Sequence, residues 1–380
     1  MSSSELERRV RKAIRELEAD GLRRTLQPPS GIDLSSNDYL GLATHPYVKQ
    51  RMAEAVLSEG CGSTGSRLLR GNRESFVRVE RRFAEFKGAE SALYFGSGYA
   101  ANVGVLSTFI ERQDIVFSDE HNHASIIDGI RLSHAKRTKF PHCDVDRVAQ
   151  LLRGAPGGTQ KFLVTESLFS MDGDFAPLAD YADLCRETGT ALIVDEAHAV
   201  GIYGARGSGF VEYTGTEYAV FLTINTAGKA LGVAGAFVAG PVWAIDFLIQ
   251  RARPFIFSTA PPPPVAAALE ASLDVIRDEP ERRLQLLARS ALLRSLLGES
   301  GLDTPSSNSQ IIPVILGDNQ RACNAAQELQ REGFDVRALR PPTVPAGTAR
   351  LRVTVNVGLE ESTLRRFALA LGKVCSTVCS

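Results

Sequence analysis

Three side chains in the second half of the sequence have types and spacing that could run a reaction together. Asp195 and His198 lie in Asp195-Glu196-Ala197-His198, directly after the apolar run Ala191-Leu192-Ile193-Val194, and Lys229 lies in Thr226-Ala227-Gly228-Lys229-Ala230, after the apolar residues 219–222. A lysine at a strand end among small residues keeps its amine only partly solvated. Burial disfavours the ammonium form, so such an amine can reach a nucleophilic state near neutral pH. Taken alone, Lys229 reads as a surface lysine that follows a strand. Two further polar groups of similar placement change that balance. Gly96-Ser97-Gly98-Tyr99 follows the apolar run 92–95, and His121-Asn122-His123 follows residues 114–117. A strand, a glycine turn and a helix start together present free backbone N–H groups to a phosphate. The turn lacks the third glycine and the acid of a dinucleotide site, so it reads as a monophosphate cup. The two histidines, at i and i+2 without neighbouring cysteines, do not read as zinc ligands, and no metal is expected.

The elements that must position these groups follow from periodicity. Strands are expected at 161–165, 191–194 and 219–222 with a helix over 177–188 between the first two, and this order predicts a mostly parallel sheet whose ligands gather at the carboxyl ends of its strands. Upstream, 4–20 reads as an amphipathic helix with a Ser4/Glu7 capping pattern and an apolar stripe of Leu6, Val10, Ala13, Ile14 and Leu17. Further helices are expected over 46–58, 73–87 and 103–109, and the Gly-rich stretch 61–71 reads as a binding loop. The run Pro261–Pro264 reads as a hinge, followed by helices at 265–277 and 281–298, a strand at 311–316, a helix at 321–332, a strand at 351–355 and a closing helix at 361–374. Arg350 and Arg352 alternate with apolar neighbours and so share one face of their strand. The expected domains are an N-terminal helix and arm (1–50), a large α/β domain (51–260) and a small C-terminal domain (261–380).

Composition narrows the function classes. With 43 Lys+Arg against 44 Asp+Glu the chain has no global basic field, so nucleic acid is not an expected partner. No apolar run approaches the roughly 20 residues of a membrane span, and residues 1–20 lack a signal peptide's apolar segment. The six cysteines are scattered, the only close pair being Cys375 and Cys379, which suits reduced thiols and a cytoplasmic protein.

An aldehyde cofactor held by Lys229 would need a phosphate cup, a carboxylate for a pyridine nitrogen, a donor for a phenolic oxygen and a ring to stack on it. Gly98-Tyr99, Asp195, His198 and His123 supply these in turn, which is the requirement set of pyridoxal 5'-phosphate (PLP). The carboxylate keeps the pyridine nitrogen protonated, so the ring can accept electrons from a carbanion at a substrate's α-carbon.

The chain also resembles the α-oxoamine synthases, a family of fold-type-I PLP enzymes, nearly end to end. The resemblance lies in Ser35-Ser36-Asn37-Asp38-Tyr39-Leu40-Gly41, the Gly62–Gly71 loop, Asn122-His123-Ala124-Ser125, Phe169-Ser170-Met171-Asp172-Gly173-Asp174, Asp195-Glu196-Ala197-His198 and Gly228-Lys229-Ala230. The string 340–352 is most similar to the members acting on a pimeloyl thioester, rather than those making 5-aminolevulinate, 2-amino-3-ketobutyrate or sphingoid bases. Three positions depart from the pattern: Thr64 where a glycine is expected, Phe76 where a histidine is common, and Ala227 before the Gly-Lys pair.

This resemblance implies an aspartate aminotransferase-like α/β fold with a smaller α+β domain, a cytoplasmic homodimer, and a decarboxylative condensation of L-alanine with pimeloyl-CoA or a pimeloyl carrier protein. It implies that Lys229 binds the cofactor covalently and moves protons at the α-carbon, that Asp195 pairs with the ring nitrogen, and that His198 bonds the phenolic oxygen. By the same resemblance His123 stacks on the ring and Ser170 contacts its phenolic side. Gly98, Tyr99 and Thr226 hold the phosphate, with Ser258 or Thr259 reaching in from a second subunit. Arg352, assisted by Asn37, grips the amino-acid carboxylate, and Arg23 and Thr343 meet the far end of the acyl chain. A sibling synthase using glycine or serine, and a non-catalytic PLP-binding regulator, are the competing expectations.

Overall fold

A computed structural model describes residues 4–302, 304 and 307–378, so Cys379 lies outside the described residues. The chain divides into two compact units: residues 37–170 with 174–286, and residues 1–36 with 171–173 and 287–380. The breaks thus fall after 36 and 286 rather than after 50 and 260. The physical reason is the helix Pro263–Asp278, which is buried along almost all its length and packs on the helices Pro46–Glu59 and Glu74–Lys87 of the larger unit. Pro263 and Pro264 sit in its first turn, where a missing N–H has no partner to lose. The proline run therefore starts a core helix and is no hinge.

The larger unit is built on a seven-stranded sheet in the order Ser91–Phe95, Ala236–Gly240, Val220–Thr226, Ala191–Asp195, Lys161–Glu166, Ile115–Asp119, Lys136–Phe140. Ala236–Gly240 runs antiparallel to both neighbours, and the other pairs are parallel. Strands buried on both faces read as unbroken apolar runs, and Leu192, Ile193 and Val194 are all fully buried. They belong to a core that also takes in Leu93, Val116, Ile126, Phe162 and Ile224. Each such side chain stabilises the fold by roughly 1.5–3 kcal/mol. In register, Glu166 lies beside Asp195 and Asp195 beside Ile224. The carboxyl ends of the parallel strands therefore share one edge, and Asp119, Glu166, Asp195 and Thr226 end on it.

Several elements have no counterpart in the periodicity, among them the strand Ala236–Gly240 and the helix Val242–Arg251. Lys136–Phe140 is a polar edge strand, and Val145–Arg153 is a short helix capped by Asp144, whose carboxylate accepts the Arg147 N–H at 2.8 Å. An edge strand can be polar on both faces, so alternation does not mark it.

The smaller unit holds an antiparallel sheet in the order Ala338–Leu339, Ala349–Thr354, Ile311–Gly317, with the helices Asn319–Arg331 and Glu361–Val378. Ile32–Asp33 pairs in parallel with Phe334–Asp335. The helix Glu5–Ala19 begins as expected, with Ser4 Oγ accepting the Glu7 N–H at 3.1 Å. Its stripe residues Leu6, Val10, Ile14 and Leu17 are exposed in the single chain. Among the described residues no helix is long and apolar enough to cross a membrane.

Candidate active site

Lys229 leaves the end of Val220–Thr226 in a tight turn closed by Ala227 N–H to Gly235 O and Gly232 N–H to Lys229 O, both 2.8 Å. Its Nζ lies 2.7 Å from Nε2 of the buried His198. The other ring nitrogen, Nδ1, lies 2.6 Å from the phenol of the buried Tyr39, which donates to Asn37 Oδ1 at 3.0 Å. These contacts are satisfied in one direction: Lys229 donates to Nε2, Nδ1–H donates to Tyr39, and Tyr39 donates to Asn37. Asn37, His198 and Lys229 are thereby joined, with Tyr39 as the link.

Asp195 is buried, and its two oxygens are held separately. Oδ1 accepts the Ala197 N–H at 2.9 Å and Oδ2 accepts Asn102 Nδ2 at 2.6 Å. Asn102 also donates to Ser125 Oγ at 3.0 Å, and Ser125 Oγ lies 2.7 Å from His123 Nδ1. His123 is itself the cap of the helix Ala124–Ser133, its Nδ1 receiving the Ser125 N–H at 3.2 Å. His123 is exposed as a residue, yet desolvation of its ring by the surrounding atoms pushes the pKa below 6.5; Asp195 opposes this shift and Lys229 adds to it. Glu166 is buried beside Asp195 and accepts the His123 backbone N–H at 2.7 Å. Burial, then the neighbouring Asp195, pushes its pKa up to about 8.

The glycine turn that the sequence reads as a phosphate cup is more regular than expected. The helix runs Gly98–Phe109, so it starts at Gly98 rather than at 103, because Ser97 caps it and accepts the Ala100 N–H at 3.1 Å. A Cβ on Gly98 would stand 2.5 Å from Thr226 Oγ1. Any side chain there would fill the space between the helix start and Thr226. Tyr99 is exposed and its phenol donates to Asp128. Ser258 and Thr259 are exposed beside the Gly-rich loop, where Thr259 bridges Ser66 and the Ala260 N–H bonds Gly65 O at 2.9 Å. In that loop Thr64 adopts a left-handed φ of 57°.

Ser170 is buried in the loop that follows Lys161–Glu166. That loop starts with the Ser167 N–H bonded to Asp195 O at 2.8 Å and closes with Phe169 N–H to Asp174 O at 3.0 Å. Amine, carboxylate, imidazoles, hydroxyl and helix start are thus assembled on one sheet edge. The helix start at Gly98, held close against Thr226, and the donor set both fit PLP.

The remaining predicted residues lie in the smaller unit. Arg352 is buried and donates to Thr354 Oγ1 at 3.1 Å. Arg350, also buried, pairs with Asp172 at 2.6 Å and donates to Met171 O at 3.2 Å. Asp172 belongs to a turn that only glycine completes: Gly173 has φ 72°, and a Cβ there would lie 2.1 Å from Ile311 O. Arg23 and Thr343 are exposed, Arg23 pairing with Glu18 at 2.9 Å. Their neighbourhoods meet, since Arg24 donates to Pro341 O at 3.1 Å and Arg340 donates to Gly21 O.

Tyr39, Asn102 and Glu166 were not singled out from the sequence. Each had a local signal: Tyr39 sits two residues after Asn37, Asn102 one helical turn after Gly98, and Glu166 at the end of its strand.

A family model for class I and II aminotransferases matches residues 29–371, and the chain belongs to that family. Within it, the chain is 46% identical over 371 residues to the 8-amino-7-oxononanoate synthase of Anaeromyxobacter dehalogenans, covering 94% of this chain and 93% of the relative. The 8-amino-7-oxononanoate synthase of Geobacter sulfurreducens is 43% identical, with 97% and 98% covered. Among solved structures, serine palmitoyltransferase from S. paucimobilis with bound PLP and myriocin matches with a TM-score of 0.93 at 28% identity, covering 99% of this chain and 100% of that one. The 8-amino-7-oxononanoate synthase of Francisella tularensis matches with a TM-score of 0.79 at 28% identity, with 90% and 97% covered. The fold is the PLP-dependent transferase α/β arrangement that the resemblance implied.

Proposed function

We propose that the chain is a PLP-dependent acyltransferase that condenses L-alanine with a pimeloyl thioester. The products are 8-amino-7-oxononanoate, carbon dioxide and the free thiol of CoA or a carrier protein, a step of biotin biosynthesis. The observation that supports this most directly is the 2.7 Å contact of Lys229 with His198 on the same sheet edge as the buried Asp195, in a chain 46% identical to curated synthases of this name.

PLP, when bound, supplies an electron sink for the carbanion at the amino acid's α-carbon. Lys229 would hold the cofactor through Nζ, and its amine is the group that would take and return the α-proton. Asp195, held by Asn102 and the Ala197 N–H, would face the ring nitrogen. His198 meets the phenolic oxygen, with Ser170 on the same side, and His123 stacks on the ring. The helix start at Gly98 and Tyr99 takes the phosphate with Thr226, and Ser258 or Thr259 of a second copy completes that pocket in a homodimer. Arg352 and Asn37 hold the alanine carboxylate. A fixed carboxylate would set which bond of the α-carbon is presented for cleavage. Arg23 and Thr343 meet the distal end of the acyl chain. The cytoplasm is the proposed site of action.

A second reading is a sibling synthase that takes glycine or serine, favoured by the TM-score of 0.93 to serine palmitoyltransferase. Thiol release with alanine, glycine and serine against pimeloyl-CoA separates the two. The first reading expects thiol release with alanine and an amino-ketone of matching mass. No release with alanine, but turnover with serine or glycine, overturns it.

A further inference from the structure

His142 lies at the same sheet edge, and none of the steps above uses it. Its Nδ1 is 3.0 Å from Asp119 Oδ1 and its Nε2 is 2.8 Å from Asp174 Oδ2. The ring stacks on His121 at 4.1 Å between centroids and meets Phe169 edge-on at 4.4 Å. Asp119 is fully committed as well, with Oδ1 accepting the His121 N–H at 2.8 Å and Oδ2 the Cys143 N–H at 3.0 Å. Cys143 Sγ reaches Phe175 O at 3.8 Å. Carboxylates only accept, so both ring nitrogens must donate and the ring is an imidazolium. Burial opposes that charge, but the hydrogen bonds to Asp119 and Asp174 outweigh it and raise the pKa to about 12. Asp119, His142 and Cys143 also bring metal-ligand atoms within 4.8 Å of one another. With each ring nitrogen already against a carboxylate, the cation at this place is the histidine itself.

The partners of His142 matter more than its charge. Phe169 and Asp174 are the residues whose backbones close the Ser170 loop, Phe169 N–H to Asp174 O at 3.0 Å. We propose that His142 is a positioning residue: by gripping Asp174 and bracing Phe169 it holds both legs of that loop and so sets where Ser170 meets the cofactor. This rests on the reading that Ser170 contacts PLP. Misplacing a contact group by about 1 Å can cost on the order of 100-fold in rate, so a brace of this kind has a measurable effect.

The test uses the full-length wild type, H142F, D174A and the double variant H142F/D174A. PLP affinity is read by absorbance titration, the setting of the bound cofactor by visible circular dichroism, and the loop by amide hydrogen exchange over 167–176 without PLP. Phenylalanine keeps the ring stack and removes both donors. We expect H142F to weaken PLP binding about tenfold or more, alter the dichroic band and speed exchange in the loop. D174A should move all three in the same direction, and the double variant should be no worse than H142F. Values within twofold of wild type in H142F overturn the proposal, as do additive losses in the double variant. Should H142F fail to fold, D174A alone decides on the same thresholds. A wild type that binds no PLP overturns the functional reading and this proposal with it. A wild type that binds PLP beside unchanged variants overturns this proposal alone.

Discussion

His123 and His142 sit on one sheet edge and are both hydrogen-bonded at Nδ1, yet their surroundings ask for opposite charge states. His123 Nδ1 receives the Ser125 N–H and lies 2.7 Å from Ser125 Oγ, and desolvation of the ring lowers its pKa. His142 faces a carboxylate with each nitrogen, so it must hold two protons. The first ring is disfavoured as a cation, and the second is spent entirely on structure. The lesson is that burial pushes both rings towards the neutral form, and it is outweighed only at His142, where carboxylates delivered by other elements face both nitrogens.

The largest expected effect tests the reactive side of that contrast. Lys229→Ala should lower condensation by about 1000-fold or more, because the group that binds the cofactor and moves the proton is gone. Borohydride reduction of the wild type followed by mass spectrometry should find PLP attached at Lys229, and attachment at another lysine instead would refute the assignment. Asp195→Asn should cost about 100-fold in kcat, since the charge is gone and the amide keeps one oxygen where two accept from Ala197 N–H and Asn102 Nδ2. Unchanged kcat would mean that the charge has no role in the chemistry.

The pH dependence of stability addresses the two histidines directly, and the signs are opposite. His142 has a raised folded-state pKa, so its contribution is fully present below the unfolded value of 6.5 and is lost as pH rises towards about 12. The stability of wild type over H142F should therefore shrink between pH 6.5 and 9, by at most about 1.4 kcal/mol per pH unit. His123 has a lowered folded-state pKa, so wild type should lose stability relative to His123→Phe as pH falls below 6.5. Denaturant titrations at pH 5.5, 7 and 9 give both differences, and slopes of the same sign would end the contrast (the pH values are chosen to bracket roughly the ordinary histidine range).

The smallest effect lies away from both rings. Thr64 holds a left-handed backbone where the resembled family has glycine, and a β-branched residue is strained there. Thr64→Gly should stabilise the protein by about 1 kcal/mol, read as a shifted denaturation midpoint at unchanged slope. A destabilised variant would show that the threonine side chain compensates for its backbone.

Much of the site was legible because each reactive group follows its own strand. Asp195, His198, Lys229 and the Gly98 turn stand directly after apolar runs, and a parallel sheet brings such ends to one edge. The domain boundaries were less legible, since a proline run looks the same whether it breaks a chain or starts a buried helix. The strand Lys136–Phe140 escaped because an edge needs no apolar face. Asn102 and Glu166 escaped for another reason: an asparagine inside a helix and a glutamate at a strand end are common, and only their partners make them part of a site.

What the residues determined by themselves is therefore the inventory: which chemical groups stand at which strand ends, and a cofactor class that uses them. Periodicity and turn chemistry are local, so one sequence suffices to read them. Only the tertiary structure decided which groups meet and in which charge state. Tyr39 bonds His198 across 159 residues, and His142 gathers one aspartate from Ile115–Asp119 and another from the Ser170 loop. Those meetings depend on the strand order, which no local pattern encodes. The protons follow the partners that this order supplies.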